Sequence, residues 1–128
     1  MDTTARDQIP AAQMALYLAA ARHRQQQRAH RLAQRRERAW QVARQAAHIL
    51  KEQFGARRIV VFGSVVSPGS FHQHSDVDLA AWGLAERTYY QAVGRLQSLD
   101  PDIAVDVVEM ELAAPGLQAA VEHTGVPL

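Results

Sequence analysis

The pattern of apolar and polar positions divides the chain into a long helical first half and a second half in which strands and helices alternate. Helical spacing predicts a helix that begins after Pro10 and ends near Phe54, where Gly55 is a typical helix stop. From Ala39 onward an apolar stripe recurs every three or four residues and predicts packing on a sheet. The stripe contains Ala39, Val42, Ala43, Ala46, Ile49, Leu50 and Phe54.

Three strands and two further helices are predicted in the second half. The apolar run Ile59–Phe62 is typical of a strand that is covered on both faces. The other elements are a strand at 76–82, a crossover helix at 84–99, a strand at 102–110 and a last helix that begins at Pro115 and stops at Gly125. We therefore predict an α/β domain with a small mixed β-sheet, helices packed on it, and an open sheet face that carries the functional site.

Two aspartates open the second predicted strand. Asp76 and Asp78 are two residues apart, so their side chains share one face of the strand, with Cα atoms about 6.6 Å apart. Carboxylates this close repel each other unless one is protonated or a cation lies between them. Mg²⁺ suits such a pair, although an Asp-x-Asp tripeptide alone is more often a solvated strand start.

A third carboxylate occurs in the next strand. In residues 102–110, Asp106 alternates with apolar neighbours, so we expect it in an interior strand, where a lone carboxylate is costly to bury. The alternative is an edge strand from which Asp106 reaches water. Together with Asp76 and Asp78, Asp106 predicts a two-metal site, with one metal at the attacking oxygen and one at the leaving phosphates.

A Gly-Ser turn follows the first predicted strand. Gly63 allows positive φ and a close approach of the backbone to a ligand. Ser64 offers a hydroxyl and an N–H group to phosphate oxygens. Such Gly-Ser pairs are usually plain turns. This one indicates a phosphate-binding turn only because it lies between two strands and just before the two aspartates.

These residues together resemble the signature of the DNA polymerase β-like nucleotidyltransferase superfamily, and the short chain resembles its minimal nucleotidyltransferases, the MNT domain proteins. The signature comprises Gly63-Ser64, Gly69 and Ser75-Asp76-Val77-Asp78-Leu79, and the resemblance covers roughly residues 40–128. One departure is the spacing. Eleven residues separate Ser64 from Asp76 where the family usually has ten. We expect the extra residue in the turn at 66–69, where it affects phosphate geometry more than the metal site.

The resemblance implies roles for these residues. Asp76 and Asp78 would bind Mg²⁺, and Asp106 would assist one of two metal ions and deprotonate an acceptor hydroxyl. Gly63 and Ser64, with Ser75, would hold the phosphates. The implied reaction transfers AMP from ATP to a hydroxyl and releases pyrophosphate. Minimal members are often antitoxins that adenylylate a tyrosine of a HEPN-domain ribonuclease toxin, so a HEPN-type toxin is the implied partner.

The charge is distributed very unevenly. Residues 1–58 have a net charge of +8 and residues 59–128 one of −7, although the whole chain is only +1. Residues 22–38 contain seven arginines, two histidines and a single acid, Glu37. We divide the chain into a basic helical extension, 1–38, and a nucleotidyltransferase domain, 39–128. The extension is a solvated segment, a docking surface for an acidic partner, or a nucleic-acid contact that lacks aromatics for stacking.

Several observations limit the remaining possibilities. The chain has no cysteine, which excludes disulfides and thiolate metal sites and fits a cytoplasmic protein. It has no apolar run of about 18 residues, so no membrane span is predicted. The apolar segment 12–21 offers a surface for pairing with a second copy. His72 and His74 precede Asp76 and are weaker candidates for contact with a nucleotide.

Two alternatives to the enzymatic antitoxin remain open. One is an antitoxin or scaffold that neutralises its partner by binding alone and keeps a dormant site. The other is an RNA-modifying nucleotidyltransferase, whose binding of RNA would depend steeply on salt and on residues 22–38.

Overall fold

The computed structural model describes residues 9–128, and its contacts divide the chain into one compact unit that ends at Ala33 and a second, Gln34–Leu128. Residues 1–8, with which the predicted extension begins, lie outside the described range. Helix α1, Ala11–Phe54, includes residues of both units. None of the helices in the described range combines the length and apolar character that a membrane span requires.

The described part of the first unit consists of the N-terminal part of α1 and the two residues before it. Nearly all of its described side chains are exposed. The large apolar side chains among them are Ile9, Met14, Leu16, Tyr17 and Leu18. The apolar segment 12–21, predicted from the sequence as a surface for pairing with a second copy, is therefore exposed on this unit.

In the second unit, the predicted stripe of α1 is buried. Six of its seven side chains lie in the core: Ala39, Val42, Ala43, Ala46, Ile49 and Leu50. Phe54 is only partly buried, and Ala47 is buried beside the stripe. The helix ends where predicted, because Gly55 adopts a φ of +74° and the Ala56 N–H donates back to the Leu50 carbonyl at 3.0 Å.

A four-stranded mixed sheet forms the centre of the second unit, as predicted. Its strands are β1 (Arg58–Phe62), β2 (Val77–Trp82), β3 (Val105–Glu109) and β4 (Val126–Pro127), in the order β3-β2-β1-β4. Strand β1 pairs antiparallel with β2 and β4, while β2 and β3 are parallel. The short β4 has no counterpart in the predicted elements.

Two helices complete the unit. Helix α2, Tyr89–Leu96, lies in the crossover between β2 and β3 and is shorter than the predicted 84–99, because residues Glu86–Thr88 form a 3-10 turn instead. Helix α3, Pro115–Thr124, begins with its proline and ends before Gly125, as predicted. Val121 of α3 packs with Val60, Ala80 and Met110 on one face of the sheet.

The position of β3 corrects one prediction. Asp106 was expected in an interior strand, but β3 is the edge of the sheet and the Asp106 side chain is exposed. Alternation along a strand shows which residues share a face, but it does not show how many neighbours the strand has. The carboxylate therefore reaches water, and no burial cost has to be offset there.

Candidate active site

The centre of the candidate site is a row of three residues across the open face of the sheet. In the parallel ladder Asp78 of β2 lies opposite Asp106 of β3, and in the antiparallel ladder Phe62 of β1 lies opposite Asp78. Neighbouring strands lie about 4.8 Å apart, so the two aspartates occupy adjacent positions on one face. The structure thus brings together two carboxylates that are 28 residues apart in the chain.

Asp78 carries the clearest electrostatic signal in this row. Its carboxylate is half-buried, and burial raises its pKa above the ordinary value, with the nearby charges of Asp106 and then Asp76 adding to the effect. Each of these causes penalises the negative charge of Asp78. A bound cation would remove the penalty, so the environment of Asp78 favours a positive ligand.

The Gly-Ser turn lies directly against Asp78. Gly63 has a φ of +80°, and a Cβ at this position would lie 2.6 Å from Oδ2 of Asp78. Residues Gly63–Val65 form a single 3-10 turn, in which the Val66 N–H donates to the Gly63 carbonyl at 3.2 Å. Ser64 is partly exposed in this turn. The segment that would hold phosphate therefore borders the carboxylate row.

Asp76 is oriented differently from the other two aspartates. It lies just before β2, and its Oδ1 accepts a hydrogen bond from the Ala104 N–H at 3.1 Å. The same oxygen lies 3.7 Å from Nη2 of Arg35. Across residues 9–128, no three histidine, aspartate or glutamate side chains converge closely enough to form a metal-ligand cluster. The structure thus brings Asp78 and Asp106 together. The Asp76 carboxylate instead contacts the Ala104 N–H and the Arg35 guanidinium.

Ser75 is buried inside the loop that precedes β2. Its Oγ accepts a hydrogen bond from the His72 N–H at 2.9 Å, and its own N–H donates to the His72 carbonyl at 3.0 Å. His72 and His74 are exposed, and the His74 N–H donates to Nδ1 of His72 at 3.1 Å. These bonds shape the loop that delivers Asp76 to β2, and contact of Ser75 with phosphate stays a prediction.

Two arginines of the predicted extension contact the loops that carry the candidate site residues. Arg35 donates from Nη2 to the carbonyls of Ser75 and Asp102, at 2.9 and 3.0 Å. Arg36 donates from Nε to the Val65 carbonyl at 3.0 Å. A signal was present in the sequence, since Arg35 lies one helical turn before Ala39 and continues the buried stripe.

The donor set fits a hard divalent cation in its chemistry. Asp76, Asp78 and Asp106 offer only carboxylate oxygens, which are the ligands that Mg²⁺ prefers. Burial is the main cause of the raised pKa of Asp78, and the charges of Asp106 and Asp76 add to it, so the site disfavours further negative charge. Asp78 and Asp106 are the two that the structure brings together, and the binding of a cation by all three stays a prediction.

Comparison with known proteins agrees with this geometry. Residues 44–128 match the family model of the polymerase beta nucleotidyltransferases. No curated protein matches the chain significantly by sequence. A chain in a crystal structure of a mutant of the toxin-antitoxin MntA-HpeT is 26% identical, with a TM-score of 0.55 over 66% of this chain and 69% of that one.

Two further toxin-antitoxin structures are similar. One, solved with AMP-PNP, is 26% identical, with a TM-score of 0.54 over 63% of this chain and 67% of that one. Another, of MntA-HepT, is 21% identical over 69% of each chain, with a TM-score of 0.52, and shows the fold alone. The chain therefore belongs to the polymerase β nucleotidyltransferase family and contains a minimal nucleotidyltransferase domain of that superfamily.

Proposed function

We propose that this protein is an Mg²⁺-dependent transferase that moves AMP from ATP onto a hydroxyl of a protein partner, and that it acts as the antitoxin of a HEPN-type toxin. The observation that carries the proposal is the pairing of Asp78 with Asp106 on the open sheet face, with the pKa of Asp78 raised by burial and by its acidic neighbours. Such a pair favours a divalent cation and the phosphates that accompany it.

The residues of the site have defined parts in the proposed reaction. The acceptor oxygen forms a bond to the α-phosphorus of ATP, and the bond from that phosphorus to the bridging oxygen breaks, so pyrophosphate leaves with the electron pair. Asp106 accepts the proton of the acceptor hydroxyl. A bound Mg²⁺, held by Asp76, Asp78 and Asp106, would neutralise charge on the phosphates. The N–H groups and hydroxyl of the turn at Gly63–Ser64 bind the triphosphate. Ser75 would contribute only after its bonds to His72 rearrange.

The exposure of Asp106 supports a macromolecular acceptor. Its carboxylate lies at the sheet edge and reaches solvent, so a hydroxyl on the surface of another protein can approach it. One similar structure is a toxin-antitoxin with AMP-PNP, which supports an adenine nucleotide as donor and a toxin as partner. The use of ATP implies a cytoplasmic location.

Label transfer tests this proposal. The full chain is mixed with Mg²⁺, ATP labelled at the α-phosphate, and a purified HEPN-type toxin from the same host. We expect label on the toxin with the wild-type chain and at least a hundredfold less with Asp78→Asn, by analogy with the loss of a preorganised charged group. The matched control is Asp102→Asn, which removes an exposed carboxylate outside the row and should leave labelling unchanged.

Each other outcome favours a different reading. If Asp78→Asn neutralises the toxin in cells as well as the wild type does, catalysis is not the basis of neutralisation and the protein acts by binding. If label appears on RNA and not on protein, the acceptor is a nucleic acid, and residues 22–38 are the first segment to test for salt-dependent binding.

A further inference from the structure

Arg35 and Arg36 are consecutive residues of α1 that contact the three segments carrying the candidate site residues. Arg35 bonds the carbonyl of Ser75, which directly precedes Asp76, and the carbonyl of Asp102, which lies four residues before Asp106. Arg36 bonds the carbonyl of Val65, which directly follows Ser64. Each of these hydrogen bonds is to a backbone carbonyl, so each fixes the path of a loop.

We propose that these arginines are positioning residues for separate halves of the site, Arg35 for the cation-binding carboxylates and Arg36 for the phosphate-binding turn. This inference rests on the proposed function for the ligands that each half binds. Neither arginine contacts the reacting atoms in this role. Each acts through the loop whose carbonyl it holds.

The geometry of Arg35 suits this role. One nitrogen, Nη2, bonds two carbonyls that belong to the approaches of two parallel strands, and it therefore joins β2 to β3 at the end where both aspartates lie. The same nitrogen lies 3.7 Å from Oδ1 of Asp76, so the guanidinium also offsets the negative charge that gathers there. The planar guanidinium presents donors in a fixed arrangement that the flexible ammonium of lysine does not reproduce.

One nitrogen of Arg35 is buried without a hydrogen bond to any residue from 9 to 128, which is unfavourable for a residue that serves only to anchor the helix. Its side chain is 19% exposed, and its Nε is buried with no hydrogen-bond partner among the described residues. A buried donor without a partner lowers stability. The buried apolar stripe from Ala39 to Leu50 already fixes the helix, so an arginine is not needed here for packing. The hydrogen bonds that Arg35 does make are with the backbone of the site loops.

Arg38 provides an internal comparison. It lies on the same helix and also contacts a loop of the second unit, through Nε to Asp100 Oδ2 at 2.7 Å and Nη2 to the Leu99 carbonyl at 3.2 Å. It contacts none of the residues whose carbonyls Arg35 and Arg36 hold, although its partner Asp100 accepts a hydrogen bond from the Asp102 N–H at 2.8 Å. A substitution at Arg38 therefore reports what the loss of an ordinary helix anchor does to this protein.

The test compares Arg35→Lys, Arg36→Lys and Arg38→Lys in the full chain, so that each variant keeps its charge and loses only the guanidinium. Binding of Mn²⁺ is followed by electron paramagnetic resonance, and binding of the α,β-methylene analogue of ATP, which the proposed transfer cannot cleave, is measured at fixed Mn²⁺. The unfolding midpoint is recorded with and without Mn²⁺, so that a loss of fold is not mistaken for a loss of binding.

We expect Arg35→Lys to raise the Kd for Mn²⁺ about tenfold or more, the range seen when partners of metal ligands are removed. Arg36→Lys should raise the Kd for the ATP analogue by about tenfold and leave the Kd for Mn²⁺ within about twofold, because a loop displaced by about 1 Å loses its alignment with the ligand. Arg38→Lys should lower the unfolding midpoint only, with the increment caused by Mn²⁺ unchanged.

Equal effects of the three substitutions on both ligands would overturn the inference and make all three arginines plain anchors. Absence of Mn²⁺ binding by the wild type would overturn the part that concerns Arg35. If the wild type binds Mn²⁺ and the ATP analogue and shows the expected pattern but transfers no label, the positioning roles stand and the proposed transfer reaction fails.

Discussion

The carboxylate of Asp78 occupies space that a side chain at position 63 would need. A Cβ on Gly63 would lie 2.6 Å from Asp78 Oδ2, closer than such atoms approach in real structures. Gly63 also has a φ of +80°, a conformation that residues with a side chain rarely adopt. Position 63 therefore requires a residue that adopts positive φ and has no side chain that would clash with Asp78. Glycine meets both requirements.

Replacing Gly63 by alanine should disturb the site and the fold together. The strained φ alone costs about 1–3 kcal/mol, and the new methyl group must displace Asp78. We expect Gly63→Ala to lower the free energy of unfolding in urea by an amount in this range and to abolish label transfer.

The control is Gly94→Ala in α2, where a Cβ meets nothing within 4 Å. Alanine there should raise stability by up to about 1 kcal/mol, because it suits a helix better than glycine. Wild-type transfer by Gly63→Ala would show that the turn and Asp78 need not touch.

Neutralising Asp78 should stabilise the protein when no divalent cation is present. The pKa of Asp78 is raised in the folded state, so the folded protein keeps the proton over a pH range in which the unfolded chain has lost it. Stability contributed by this group therefore falls as pH rises from the ordinary carboxyl pKa through the raised one. Asp78→Asn cannot ionise and escapes this loss.

We expect thermal unfolding in the presence of a chelator to show a higher midpoint for Asp78→Asn than for the wild type at pH 7. The difference should shrink toward pH 4, where the wild-type carboxyl gains its proton. Asp102→Asn, at an exposed position, serves as the control and should follow the wild type. A lower midpoint for Asp78→Asn at neutral pH would mean that the charged form of Asp78 is stabilised by its surroundings, contrary to the raised pKa.

Local patterns were sufficient to predict much of this molecule. The apolar stripe after Ala39 and the stop at Gly55 predicted the end of α1, because helix spacing and a left-handed glycine are properties of neighbouring residues. Alternation predicted a shared face for Asp76 and Asp78, but β2 begins at Val77, and the position of Asp78 beside Asp106 is set by the register of β2 and β3. The mixed sheet was predicted, and the helical crossover between β2 and β3 agrees with their parallel pairing.

Features that depend on distant partners were not predictable in this way. The edge position of β3, which exposes Asp106, is set by strand order, and strand order leaves no mark on alternation. The two residues of β4 are too few to show a pattern. Arg35 was grouped with the basic extension because its neighbours in sequence are polar, whereas its hydrogen-bond partners, Ser75 and Asp102, lie 40 and 67 residues away.

The pair Arg38–Asp100 should contribute a small, pH-dependent stabilisation. The hydrogen bond from Arg38 holds the pKa of Asp100 below its ordinary value, so the contribution is complete above the ordinary carboxyl pKa and is lost as pH falls through the lowered one. A double-mutant cycle of Arg38→Gln and Asp100→Asn should give a coupling energy of about 0.5–1 kcal/mol at pH 7, typical of a partly exposed pair. The asparagine keeps an oxygen for the Asp102 N–H, which bonds Asp100 Oδ1 at 2.8 Å. Coupling that persists unchanged at pH 2 would exclude an ionic origin.

Side chains make hydrogen bonds to part of the free backbone edge of β3, in place of the bonds that a neighbouring strand would make. Gln97, just after α2, donates from Nε2 to the Val105 carbonyl at 2.6 Å and accepts from the Val105 N–H at 3.2 Å. Tyr89 donates to the Val107 carbonyl at 2.6 Å. Unpaired edges of sheets are templates for association with other chains, so these bonds protect the edge that carries Asp106.

Gln97→Leu should open this edge, because leucine is similar in volume and makes neither bond. Leaving two backbone groups without their protein partners should lower the free energy of unfolding by about 1–3 kcal/mol. Amide hydrogen exchange, followed by NMR, should become faster at Val105 and stay unchanged at Val61 in the interior strand β1. Gln97→Glu keeps the acceptor for the Val105 N–H but not the donor, so it should preserve slow exchange at Val105 while losing stability. Slow exchange in both variants would mean that the backbone of β3, and not Gln97, protects the edge.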